Sequence, residues 1–270
     1  MIGELLTDTE GIAGSEGVGV DLATRWNVGR HPNGGYLLAV VARQLLATAT
    51  RPDPLTMTAH YLSPVAAGPA TVGVEIVRAG RTQATVAGTL HQGGKEMLRV
   101  LGAVGDLATR TGPTLGGDDA PALPDPAQCV SLADRLAHGP AGPRSVTNAL
   151  RRYDLRVDPA SSFGRDVDAP CALTAWVRFA DGTEPTTLGL LALADAFVPT
   201  TLLSANVGWV PTVELTVHVL ARPAPGWLRA HVATRAVRDG LLDEDGELWD
   251  AGGALVARFR QLAVALAPSG

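Results

Sequence analysis

Apolar side chains follow two rhythms along this chain, one continuous and one alternating. Gly34-Gly35 opens Tyr36-Leu37-Leu38-Ala39-Val40-Val41-Ala42-Arg43-Gln44-Leu45-Leu46, a run of helix formers too long for a strand, which predicts a buried helix. Beyond it, Leu55 to Leu62, Ala70 to Arg78, Thr82 to His91 and Glu96 to Val104 alternate or are rich in β-branched residues. Turn signals at Pro64, Gly68-Pro69, Gly80 and Gly93-Gly94 separate these segments, so they predict an antiparallel meander. The same rhythms then return. Tyr153 to Val157 and Ala172 to Phe179 read as strands, Thr187 to Phe197 as a helix, and Val213 to Leu220, Trp227 to Val237, Gly240 to Trp249 and Ala254 to Leu266 as a second meander. Between the two sets, Asp106 to Pro126 is crowded with Gly, Pro, Ala and Asp and has no period, so it reads as a linker.

Landmarks recur about 158 residues apart: Thr58-Ala59-His60 ahead of Pro64 matches Thr216-Val217-His218 ahead of Pro223, and Gly93-Gly94 matches Gly252-Gly253. A repeat of this kind implies two copies of one unit packed as a pseudo-dimer. A long helix wrapped by a curved antiparallel sheet, occurring twice, is the α+β arrangement called a double hotdog. The expected bounds are 1–107 for the first unit, 108–144 for linker and lead-in, and 145–270 for the second unit. Edge-to-edge pairing of the two sheets, with both helices on one side, would protect strands that otherwise lie open.

Composition narrows the partners. At 270 residues and 46% hydrophobic the chain can bury a sizeable core. Its formal charge of −5, with Lys95 as the only lysine, argues against nucleic acid as a partner. Met1-Ile2-Gly3-Glu4-Leu5-Leu6 lacks the basic start and apolar core of a signal peptide, and Leu188 to Val198 is too short to span a bilayer, so the expected location is cytoplasmic. Cys129 and Cys171 show no metal spacing and read as reduced structural thiols.

No nucleophile elbow, P-loop, dinucleotide fingerprint or His-Glu-x-x-His is present, so any chemistry must use scattered residues. Asp195 stands out, because it falls inside the apolar run predicted as the second helix. A carboxylate there costs several kcal/mol unless it has a partner or a task. The first predicted helix carries no acid between Gly35 and Leu46.

Trp26 to Val104, with its Gly34-Gly35 helix start, and Leu188 to Leu266, with Leu193-Ala194-Asp195, Pro211-Thr212-Val213-Glu214 and Val256-Ala257-Arg258-Phe259-Arg260-Gln261, resemble the acyl-CoA thioesterase II family of double-hotdog hydrolases. The resemblance implies an acyl-CoA substrate, no metal or organic cofactor, and a hydrolytic water held by Asp195, Thr212 and Gln261. One residue more than in the family pattern lies between Thr212 and Arg222-Pro223, which makes Thr216 the second candidate for the threonine role. Hotdog proteins commonly pair through their sheets, so a homo-oligomer is expected.

The residue types suit the reaction. A carboxylate in apolar surroundings gains proton affinity and becomes a useful general base, while Thr212 and Gln261 can aim a water without neutralising it. The leaving thiolate is a stable anion near neutral pH, so no strong acid is needed. Gly34 and Gly35, at the start of the first helix, offer main-chain amides to an oxyanion, although close packing explains paired glycines as well. His60 and His218 occupy equivalent repeat positions and read as strand histidines. Trp26, Trp176, Trp209, Trp227 and Trp249 could line an acyl tunnel, and Arg78, Arg81, Arg235 and Arg238 could meet the phosphates of coenzyme A. Two rivals remain: a non-catalytic acyl-CoA-binding hotdog, and a hotdog hydratase, which the lack of any His between Asp195 and His218 disfavours.

Overall fold

The structure is a computed structural model that describes residues 3–15, 17–117, 119–138, 147–161, 170–201 and 208–267. Parts of the sequence reading fall outside them: Met1-Ile2, Asp118, the end of the lead-in at 139–144 and the last residues of the second unit. The first half holds α1 (Glu4–Asp8), β1 (Gly11–Gly14), β2 (Gly17–Leu22), a small β3–β4 pair (Asn27–Val28, His31–Pro32), α2 (Gly34–Ala49), β5 (Asp53–Tyr61), β6 (Gly68–Ala79), β7 (Gln83–Gln92) and β8 (Lys95–Gly105). The second holds β9 (Val130–Ser131), α3 (Leu132–His138), β10 (Tyr153–Val157), β11 (Ala172–Phe179), α4 (Thr187–Leu193), β12 (Thr212–Val219), β13 (Leu228–Arg238), β14 (Leu241–Trp249) and β15 (Leu255–Val264). The lead-in part of the 108–144 interval, beyond the linker, thus contributes a strand and a short helix, with β9 paired to β10 at the sheet edge.

Among the described residues, thirteen strands form one sheet in the order β1-β2-β6-β7-β8-β5-β12-β15-β14-β13-β11-β10-β9. Read outward from the centre, β5-β8-β7-β6-β2-β1 and β12-β15-β14-β13-β11-β10 are the same arrangement twice. This is the double hotdog, and its joint is the antiparallel β5–β12 pair. Thr58 faces Thr216 there, with the two hydroxyls 2.9 Å apart. These residues are repeat equivalents, so the pseudo-two-fold axis passes between them, as an isologous contact requires.

Alternation decides which way each strand faces. Along β8 the side chains of Leu98 and Val100 are fully buried while Arg99 and Leu101 are exposed. Each such Leu or Val contributes about 1.5–3 kcal/mol of burial. The helix α2 lies across the inner face against β5, β6, β7 and β8, and every residue from Gly35 to Ala42 is buried. Gly88 lets it settle: a Cβ there would lie 2.6 Å from Val41. Gly246 is the repeat equivalent, and its missing side chain makes room for the Phe259 ring, 1.9 Å from where a Cβ would be.

Here the halves diverge. The apolar run Thr187 to Phe197 predicts a second long helix, but α4 ends at Leu193 and tightens through Asp195 N–H to Ala192 and Ala196 N–H to Leu193. Pro199 has no N–H to give the carbonyl of Asp195, so a continued helix would leave that carbonyl unpaired. Asn33 supplies the missing donor from the other half, its Nδ2 lying 2.9 Å from the Asp195 carbonyl. A second link between the halves is the buried Asp53, which accepts from Arg222 at 2.7 Å, Thr187 at 2.9 Å and the Leu107 amide at 2.8 Å.

Candidate active site

Asp195 therefore stands on the turn after α4, with the N-terminus of α2 facing it. Asn33 caps α2 by accepting from the Tyr36 amide at 3.1 Å, which turns its Nδ2 toward Asp195 Oδ2 at 2.8 Å. The Gly35 amide donates to the same oxygen at 2.9 Å. Glycine is required at 35 because a Cβ would lie 2.7 Å from the Asp195 Cβ and 2.9 Å from the Ala192 carbonyl oxygen. The positive end of one helix thus meets the terminus of the other with a carboxylate between them.

Burial dominates the electrostatics of Asp195 and, helped by the charge of Glu244, pushes its pKa up to about 6. The Gly35 amide, Asn33 and the Gly34 amide pull the other way and lose. Asp53 shows the opposite balance. Burial raises it, but the Arg222 guanidinium, the Leu107 amide and the Thr187 hydroxyl outweigh that and hold it below the ordinary carboxylate range. No cation bonds Asp195 among the described residues, and this separates the two acids.

Gly34, Asp195, Thr212 and Gln261 all line one cavity of about 660 Å³ between the halves, and Gly35 lies behind Asp195. The structure thus brings the five sequence candidates together. Thr212 Oγ1 donates to Gln261 Oε1 at 3.0 Å, and Gln261 Nε2 donates to Glu244 Oε1 at 2.8 Å. The extra residue ahead of Arg222 is absorbed by a β-bulge, since Thr212 pairs with Ala263 and Glu214 with Leu262, leaving Val213 unmatched. Thr216 instead bonds Thr58 and Glu214 and does not line the cavity. Of the two amides expected to face an oxyanion, that of Gly35 is engaged by the carboxylate.

Three residues escaped the sequence reading. Asn33 had a signal, an N-cap residue type directly before the Gly34-Gly35 helix start. Glu244 had one too, since alternation along β14 points Leu242, Glu244, Gly246 and Leu248 inward together. Tyr61 had none. Its hydroxyl is buried without a partner among the described residues and lies 2.9 Å from where a Gly34 Cβ would sit, 0.2 Å nearer to that point than Asp195 Oδ2 at 3.1 Å. Burial, then the charges of Asp195 and Glu214, push the Tyr61 pKa well above its ordinary value. Of the tryptophans only Trp209 lines the cavity, and none of Arg78, Arg81, Arg235 and Arg238 does. His60 and His218 are exposed on the outer face of the sheet.

Two units of one strand order, joined edge to edge over a shared cavity, place the protein in the double-hotdog class. Within it, the acyl-CoA thioesterase N-terminal domain matches residues 22–105 and the acyl-CoA thioesterase C-terminal domain matches 119–265, and the chain belongs to this family. A crystal structure described as a thioesterase II from Thermobifida fusca is 31% identical, with 97% of each chain covered and a TM-score of 0.84. A hot dog fold protein from Alicyclobacillus acidocaldarius, 22% identical with 100% of each chain covered and a TM-score of 0.86, shares the fold. An uncharacterised Mycobacterium tuberculosis protein is 27% identical, over 90% of this chain and 89% of its own length. No described helix is long and apolar enough to cross a membrane, and no group of three or more His, Cys, Asp or Glu among the described residues is placed to hold a metal.

Proposed function

We propose that the protein hydrolyses a fatty or related acyl-CoA, with Asp195 as the general base for a water attacking the thioester carbonyl. The observation that carries this reading is the half-buried Asp195, bonded by no cation among the described residues, sharing a cavity with the Thr212–Gln261 pair. Val28, Leu37, Leu136, Leu150, Phe197 and Val198 give that cavity the apolar wall an acyl chain needs.

In the reaction, the water oxygen bonds to the acyl carbon while one of its protons passes to Asp195. The carbonyl π electrons move to oxygen, and Tyr61 Oη is the unpaired donor we assign to that developing charge. Collapse of the tetrahedral intermediate breaks the C–S bond, and the thiolate leaves, taking up the proton that Asp195 holds. Gly34 and Gly35 serve this step by fixing the base, and Thr212 and Gln261 by orienting the water. Release of free thiol from short, long, branched and aromatic acyl-CoAs tests the reading. Turnover with at least one class supports it. Binding without turnover in every class transfers the site to the non-catalytic, acyl-CoA-binding rival.

A further inference from the structure

Glu244 is a carboxylate only 3% exposed, and no basic side chain among the described residues bonds it. Four donors converge on it. Gln261 Nε2 reaches Oε1 at 2.8 Å, while the Thr200 amide at 2.9 Å, the Thr200 hydroxyl at 2.7 Å and the Thr234 hydroxyl at 3.1 Å reach Oε2. A main-chain N–H can only donate, so the group facing Thr200 must accept. A carboxylate accepts at both oxygens, which compels Gln261 to turn its NH₂ toward Glu244 and its carbonyl toward Thr212. The Thr212 hydroxyl must then donate to Gln261, as its 3.0 Å contact with Oε1 shows, and its lone pairs are left for the cavity.

We propose that Glu244 is a positioning residue: its two accepting oxygens set the direction of the chain Thr212 to Gln261 to Glu244, so that Thr212 presents an acceptor rather than a donor to the attacking water. The claim rests on the hydrolase reading above. A water that donates one hydrogen to Asp195 and the other to Thr212 Oγ1 is held by both hydrogens and keeps both lone pairs free, one of them to face the acyl carbon. A water facing a Thr212 donor would have one of its two lone pairs occupied and one hydrogen unheld, so the lone pair that remains is no longer aimed.

An isosteric substitution reverses the chain. In Glu244→Gln the amide oxygen must still face the Thr200 N–H, so its NH₂ faces Gln261. Gln261 then flips and presents its own NH₂ to Thr212, whose proton is driven into the cavity. Adding Gln261→Glu restores an acceptor beside Thr212 and so restores the original direction. The proposal predicts that Glu244→Gln lowers kcat by about 10–100-fold with KM changed by less than about 3-fold. It predicts that the exchanged pair, Glu244→Gln with Gln261→Glu, recovers about 10-fold over Glu244→Gln, whereas Gln261→Glu alone, with two facing carboxylates, is the poorest of the three.

Charge and direction separate by pH. The groups facing Asp195 are Asn33 at the cap of α2, the Gly34 and Gly35 amides from α2, Tyr61 from β5, Tyr153 from β10 and Glu244 from β14, with His31 on the cavity wall. Of these Glu244 supplies the like charge, so Glu244→Gln moves the acidic limb of kcat to lower pH. Glu244→Asp keeps the charge but loses reach, so its kcat falls while that limb stays, and it serves as the second variant where Glu244→Gln does not fold. A third readout needs no turnover: in protein carrying nitrogen-labelled glutamine, the Gln261 side-chain NH₂ signal seen by NMR is shifted downfield by the carboxylate and loses that shift in Glu244→Gln. Wild-type kcat in Glu244→Gln, an exchanged pair no better than that single variant, or an unmoved Gln261 signal overturns the proposal. Absence of hydrolysis in the unmodified protein, with the Gln261 signal behaving as stated, overturns the hydrolase reading and leaves the direction of the chain standing.

Discussion

The two halves share a strand order and differ in their helices. In the first, α2 runs from Gly34 to Ala49 and spans the sheet, with Gly88 clearing its path. In the second, α4 stops at Leu193, and the space over the equivalent Gly246 is taken by Phe259, which stacks on Phe197 at 6.4 Å. Shortening one helix lets its last turn meet the N-terminus of the other, and the acid on that turn gains the amides of a helix it does not belong to. Duplication supplied the frame, and breaking the symmetry at one element supplied the site.

The largest effect follows from removing the charge at that meeting point. Asp195→Asn keeps the shape and is expected to lower kcat by roughly 10²–10⁴ while acyl-CoA binding changes only a few-fold, as steady-state kinetics and calorimetry would show. The same variant should be more stable than wild type at pH 8. The folded protein binds the Asp195 proton with a pKa of about 6 against an ordinary 3.8, so the stability this group contributes is complete below about pH 4 and is lost as pH rises through about 6. The advantage of the variant is thus up to about 3 kcal/mol at pH 8 and vanishes toward pH 4, read by denaturant unfolding. Equal stability at both pH values would mean that Asp195 is not held away from water.

Gly35→Ala attacks the contact between the helices. Its Cβ would press on the Ala192 carbonyl oxygen, main chain that cannot swing aside, so the variant should lose about 1–3 kcal/mol of stability and most of its turnover together. Tyr61→Phe tests the oxyanion contact instead, and is expected to lower kcat by about 10²-fold with KM little changed. A Tyr61→Phe variant with wild-type kcat would remove it from the oxyanion role. Smaller losses are expected from Thr212→Val and Gln261→Ala, about 10-fold each in kcat, and in the Asp195→Asn background neither should add its full effect if the three act as a unit.

The meanders and the duplication were legible because strand alternation and glycine turns are local signals, and the repeat carried them twice. The long helix α2 was legible for the same reason. The end of α4 was only half legible, because Pro199 is a local stop signal but the apolar residues continue to Val198 and the Asp195 carbonyl is satisfied by Asn33, distant in sequence. Asp195 itself could be singled out by its apolar neighbours, but its partners could not, since Asn33 and Gly35 reach it through the joint between halves and Glu244 from β14, far along the chain in its own half. The β-bulge at Val213 shows the limit most plainly: sequence spacing left Thr212 and Thr216 in competition, and the bulge places Thr212 on the cavity and Thr216 at the pseudo-two-fold axis.

The central claim is that breaking the symmetry of the two helices creates a general base of raised proton affinity. Its most direct test is the pH dependence of kcat for thiol release by the unmodified protein, followed across pH 4.5–8.5. The account predicts turnover that rises with pH along an acidic limb centred near 6, the range to which burial and Glu244 push Asp195, and no such limb in the residual activity of Asp195→Asn. Turnover that is flat down to pH 4.5, or a limb that survives unchanged in Asp195→Asn, would contradict it.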